Sequence, residues 1–232
     1  DYDHYEDKLM AISFDSKNTV SASAGTPTLT HTIGTSSADR ILLVGVIGRT
    51  AASPTHDKVT FNGINMTKDR TQNGPSNLST SIWSLVNPST GNNTIQIFFS
   101  AAQNTRAVSA SFYGVAQSTP LDVATSNSGD LQAITGSVTT SVSEAIGFDI
   151  LVHENTNASS VGSNQTILYA TDEGQWNTGA SYRVVSSAGD LTMSWTAGAQ
   201  DSYAYSLGAY KTAVSVDTGV SSDTDPRPFF WI

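Results

Sequence analysis

Apolar and polar residues alternate with a period of two along most of this chain, in short runs closed by Gly, Asn, Pro or Ser. That alternation places every second side chain on one face of an extended strand. In "VTFNGINMT" (59–67), Val59 and Phe61 alternate with Thr60. Asn62-Gly63 then supplies the two positive-φ residues of a tight turn, and Ile64 and Met66 resume the pattern, so a hairpin is predicted. "SIWSLVNPSTGNNTIQIFF" (81–99) reads the same way: Trp83 and Leu85 share a face, a turn runs through 87–93, and Ile95, Ile97 and Phe99 share a face of a return strand. Further strands are expected at 10–15, 28–33, 107–115, 137–142, 145–153, 166–170, 181–186, 191–195 and 203–211.

The run Ile41 to Ile47 does not alternate, which predicts a central strand covered on both faces. Helical periodicity free of Gly and Pro is not sustained over twelve residues anywhere, and no fixed repeat is present. The fold class expected is all-β: an antiparallel two-sheet β-sandwich, jelly-roll-like, spanning 10–211. An acid-rich extension precedes it at 1–9. A linker and apolar arm follow at 212–232, with Val214 and Val216 able to pair as an edge.

Composition narrows the partners. Only 13% of the 232 residues are charged, and solubility rests on serine, threonine and amide side chains. A net charge of −9 with 11 Lys and Arg supplies no basic stripe for phosphates, so neither nucleic acid nor an anionic membrane surface is an expected partner. No apolar run reaches membrane-spanning length, and the absence of cysteine excludes disulfides and thiolate chemistry.

Candidate chemistry is thin. His4, His31, His56 and His153 stand at no spacing that puts two ligands on one face, and the elbow, phosphate-loop and dinucleotide motifs are missing. Glu6, Glu144, Glu154 and Glu173 form no paired-carboxylate motif, so no enzyme is expected and no catalytic residue is assigned. No cofactor is expected. Calcium is the one ion considered, at the oxygen-rich stretches 126–130, 153–157 and Asp223–Asp225, which are more often plain turns. Trp83 and Trp195 share faces with apolar neighbours and read as core. Trp176, in the polar stretch "TDEGQWNTG", is the candidate ligand contact, an exposed indole able to stack on a sugar ring. Phe229, Phe230, Trp231 and Ile232 follow a polar, Pro-bearing segment. A patch of that kind normally marks a contact, so these four are the candidate partner-docking residues.

"MAISFDS" (10–16), "LTHTIG" (29–34), "DRILLVGVIGR" (39–49), "VTFNGINMT" (59–67), "SIWSLVNPSTGNNTIQI" (81–97), "SASFYGVAQSTPLD" (109–122) and "LTMSW" (191–195) follow one another in an order that resembles a β-sandwich family seen in tailed-phage virion proteins and in surface or secreted proteins of uncultured bacteria. The likeness extends to near Lys211. It implies a jelly-roll-like domain on a virion surface or in an extracellular setting, and it carries no catalytic signature. The function expected is a structural component of an assembled exterior, such as a capsid-decoration or tail-associated protein, forming a homo-oligomer or docking on neighbouring virion subunits. A carbohydrate-binding or adhesion module contacting glycan through Trp176, and a subunit of an extracellular filament, are the alternatives.

Overall fold

The computed structural model describes residues 8–9, 11–22, 26–49, 55–101, 104–154, 159–172 and 176–215. Its strands in chain order begin with β1 (Lys8–Leu9), β2 (Ser13–Ala22), β3 (Thr28–Ile33), β4 (Ile41–Arg49), β5 (His56–Phe61) and β6 (Ile64–Asn65). They continue with β7 (Thr67–Asn73), β8 (Leu78–Val86), β9 (Gly91–Phe99), β10 (Asn104–Tyr113), β11 (Leu121–Thr140) and β12 (Ala145–His153). The last are β13 (Ser160–Val161), β14 (Thr166–Asp172), β15 (Asn177–Val185), β16 (Gly189–Lys211) and β17 (Val214–Ser215).

The fold class is the expected one, all-β with antiparallel pairing and a sandwich-like stacking of sheets. The layers are more numerous than two. A five-stranded sheet, β2-β10-β4-β8-β7, lies between a four-stranded sheet, β3-β9-β5-β6, and a six-stranded sheet, β11-β16-β12-β15-β14 with β13 added on β16. Strand β4 shows why its sequence lacks alternation. Leu42, Val44 and Val46 pack with Val59, Phe61, Ile95 and Ile97 of the four-stranded sheet, whereas Ile41, Leu43 and Ile47 pack with Ile146, Phe148 and Ile150 of the six-stranded one. Each face of β4 is apolar because each lines a separate core.

The Asn62-Gly63 hairpin forms as predicted, with φ of 49° and 79° at the turn and Phe61 paired with Ile64. The segment 81–99 is not a hairpin. β8 belongs to the five-stranded sheet and β9 to the four-stranded one, so residues 87–90 carry the chain from one layer to the next. Alternation marks each strand, but it cannot tell whether the strand after a turn pairs with its predecessor or crosses the core to face it.

Two corrections concern the longest strands. The stretch 126–130, expected as an oxygen-rich loop, lies inside β11, and the strands expected at 191–195 and 203–211 are parts of one 23-residue strand, β16. β11 and β16 form a long ribbon whose register breaks between Leu131 and Ala133. Past the break the ribbon folds over the outer face of its own sheet. There Ile134, Val138, Leu191, Met193 and Trp195 bury against Leu151, Tyr203, Tyr205 and Leu207, a third core. Close approach under this flap requires small residues: a Cβ on Gly179 would lie 2.5 Å from the Trp195 ring.

Near the ends, Val214 pairs as an edge strand, as the sequence allowed. Thr212 and Ala213 are buried, Thr212 is bridged to Val115, and β17 pairs with β1 through Lys8–Ser215 and Leu9–Val214. Strand pairing thus runs past 211, and Lys8–Leu9 of the expected extension pairs with Val214–Ser215 of the expected linker.

Candidate functional site

Two of the histidines do the same structural work. His31 on β3 and His56 on β5 both rise from the four-stranded sheet and meet a pair of serines, spaced two apart, on the facing five-stranded sheet. For His31 the serines are Ser109, 2.8 Å from Nδ1, and Ser111, 2.9 Å from Nε2. For His56 they are Ser81, 2.6 Å from Nδ1, and Ser79, 3.1 Å from Nε2. The hydroxyl protons can be followed. Trp83 Nε1 donates to Ser81 at 2.8 Å, which leaves the Ser81 proton to point at His56 Nδ1. Ser111 donates to Asp15 Oδ2 at 2.7 Å, so it accepts from His31 Nε2. Ser109 Oγ also lies 3.3 Å from the Asn18 carbonyl, and burial favours the neutral form of both rings. Burial lowers the pKa of His31 to about 4 and of His56 to about 3.

These groups do not form a relay for a nucleophile. In such a relay the acid orients the base. Here Asp15 instead accepts from Ser111, from Tyr113 Oη at 2.9 Å and from the Gly34 amide at 2.9 Å, while the imidazole spends both nitrogens on hydroxyls. His31 and His56 act as polar ties between two layers. His153, at the end of β12, is buried beside the Leu131 carbonyl, 3.1 Å from Nε2.

A second buried hub sits under the ribbon flap. Asp149 on β12 has no exposed surface and accepts four hydrogen bonds: the Ser181 amide at 3.0 Å, Ser181 Oγ at 2.6 Å, Trp195 Nε1 at 2.9 Å and Tyr205 Oη at 3.1 Å. Burial outweighs those donors and lifts its pKa to about 6.

Trp176 is the sequence-predicted residue most altered by the structure. It is 5% exposed, packs in the core between the five- and six-stranded sheets, and has the Arg106 guanidinium 4.9 Å from its ring centre. Its polar neighbours suggested a loop, but Thr171 and Asp172 end β14 and Asn177 to Gly179 begin β15, and the indole turns inward, so it offers no open face for a sugar. Trp83 and Trp195 are core residues, as expected. Phe229, Phe230, Trp231 and Ile232 lie outside the described residues, as do Asp223 and Asp225 and the stretch 155–157. Among the described residues no group of three or more His, Asp or Glu side chains comes together as a metal site.

The open concavities lie elsewhere. One groove of about 630 Å³ runs beside the β1–β17 pair and is lined by Asp39, Gln117, Val142, Lys211, Ala213 and Val214. Another cavity, of about 430 Å³, opens between β7, β8 and the segment entering β11. Nothing in the sequence singled out either one, because each is assembled from segments far apart in the chain. No protein-family model, curated protein or solved structure matches this chain.

Proposed function

We propose that this chain is a non-enzymatic structural component of an assembled exterior, best matched to a phage virion protein of the capsid-decoration or tail-associated kind, which joins its neighbours through its terminal segments. One observation carries the reading: the antiparallel pairing of Lys8 with Ser215 and of Leu9 with Val214. It sets Lys8 and Ser215 side by side, next to a groove of about 630 Å³ that Val214 helps to line, and in sequence these two points adjoin an acid-rich stretch on one side and a stretch ending in Phe229 to Ile232 on the other. Two sequence stretches of contrasting chemistry, one acidic and one apolar, adjoining neighbouring points of the domain suit repeated contact with like subunits at a virion surface or in an extracellular filament. The glycan-binding alternative rested on an exposed Trp176, and the burial of that side chain withdraws its support.

Light scattering on the full chain and on a version ending at Asp225 tests the proposal. Assembly of the full chain beside a monomeric shortened one supports it. Two monomers, with the shortened one less stable, would overturn the assembly role and make the apolar segment part of its own domain.

A further inference from the structure

The cavity of about 430 Å³ is bounded by Thr67, Lys68 and Asp69 of β7, by Ser84, Leu85 and Val86 of β8, and by Thr119, Pro120 and Leu121 leading into β11. Its volume lies within the range of small-molecule sites. Leu85, Val86, Pro120 and Leu121 give it apolar walls. Asp69 gives it a carboxylate, placed by an irregularity in the β7–β8 register between Lys68 and Arg70. Such bulges re-aim a side chain out of the regular pleat.

The carboxylate is held but not neutralised. Tyr210 Oη, fully buried, donates to Asp69 Oδ2 at 2.7 Å, and the Ser84 hydroxyl supplies a second hydrogen bond. Neither partner carries charge, and among the described residues Asp69 makes no ion pair. Its basic neighbours are bonded to other groups, and Lys211 reaches only the rim. Lys68 places Nζ 4.8 Å from the centre of the Trp83 ring, Arg70 directs Nε to Ser126 Oγ at 2.8 Å, and Lys211 Nζ rests 3.4 Å from Thr119 Oγ1. A carboxylate set among apolar walls without a counter-ion is a costly arrangement, and an arriving cation relieves that cost. Partial burial raises the Asp69 pKa, in line with an ion whose solvation is incomplete. Thr119, on the rim, is a β-branched residue at φ 46°, a conformation such residues rarely adopt and one that concentrates at ligand sites. The net charge of −9 favours the approach of cations from solution.

We infer that this cavity is a binding site for a small organic monocation, an ammonium group attached to an apolar body, with the ammonium on Asp69 and the body against Val86, Pro120 and Leu121. The site is independent of the terminal segments and of assembly through them.

Chemical-shift mapping on the full ¹⁵N-labelled chain tests it, with phenethylamine as the probe and 2-phenylethanol as a neutral counterpart of nearly the same shape. The amine should saturate the site at least about tenfold more tightly than the alcohol. Its shifts should fall on 67–69, 84–86 and 119–121. Asp69→Asn keeps an acceptor oxygen for Tyr210 and should erase the amine's preference. Leu121→Trp leaves Asp69 in place while filling the apolar wall, and should block both probes. Equal affinity of alcohol and amine, shifts centred elsewhere, or unchanged amine binding in either variant would overturn the inference. So would the absence of saturable amine binding to the unmodified chain.

Discussion

Trp195 donates its indole N–H to Asp149 at 2.9 Å, and this bond joins the folded-over half of the β11–β16 ribbon to the sheet beneath it. The flap is also held by apolar contacts, by the pairing of β13 with Trp195 and Thr196, and by Gln165 and Arg183, which bond the backbone of Ser194 and Thr192. The Trp195 bond is the one that ties it to the buried carboxylate on β12. Trp195→Phe keeps most of the ring and removes the donor, leaving a fully buried carboxylate with three partners in place of four. The expected cost is about 1–3 kcal/mol in urea unfolding. Faster hydrogen exchange should be confined to the flap, 133–140 and 189–196, relative to β12.

The close fit of that ring against Gly179 yields a second prediction. A methyl group at 179 would lie 2.5 Å from a ring that Asp149 prevents from shifting, so Gly179→Ala should cost about 1–3 kcal/mol. Combined with Trp195→Phe, which withdraws ring atoms from the clash, the cost should be less than the sum of the two. A double-mutant cycle by chemical denaturation measures the difference, and strict additivity would show that the ring is free to move.

Stability should fall on acidification, and the histidines decide this. His31 and His56 titrate near 6.5 when unfolded but at about 4 and about 3 when folded, so below pH 6.5 the unfolded chain binds more protons and folding weakens. Asp149 acts in the opposite sense. Its folded pKa of about 6 lies above the usual carboxylate value, so its contribution is present at low pH and is lost as pH rises through 6. Two histidines outweigh one carboxylate, and these groups together should cost about 3 kcal/mol between pH 7.5 and 4.5. Urea unfolding at the two pH values checks the sign. His56→Asn should shrink the difference by about 2–3 kcal/mol, whatever its effect on stability at neutral pH.

Trp176→Ala should act on stability rather than on recognition. Removing a 5%-exposed indole from the core leaves a cavity and deprives the Arg106 guanidinium of the ring it faces. The expected loss is about 3–5 kcal/mol in urea unfolding. An unchanged unfolding midpoint would mean that the side chain spends its time outside the core.

What could be read from the sequence was local, and what could not depended on residues far apart. The Asn62-Gly63 turn is encoded by two adjacent residues, and the double-faced strand β4 by one unbroken apolar run. Trp83 and Trp195 show their burial through the company they keep on one strand face. The first half of β11 escaped notice because its small polar side chains resemble those of a loop, although its backbone is paired along its length with β16. The serine partners of His31 and His56 lie 78 and 80, and 25 and 23, residues away, and no spacing rule links them. The Asp69 cavity draws on three stretches of chain, each unremarkable alone. Trp176 failed in the opposite way: its polar neighbours suggested an exposed loop, whereas Asn177 to Gly179 begin β15 and the ring turns into the core.

Strand β4 has a kinetic consequence. Its neighbours come from distant parts of the chain, Ile41 pairing with Val86 on one side and Phe112 on the other, while its two faces close against separate cores. Neither core can reach its final density until β4 is seated, and β4 is seated only after loops of tens of residues have closed. Folding should therefore be slow for the chain's size and should complete both cores in one cooperative step. Fragments ending between β4 and β8 would expose an apolar strand with no sheet to enter.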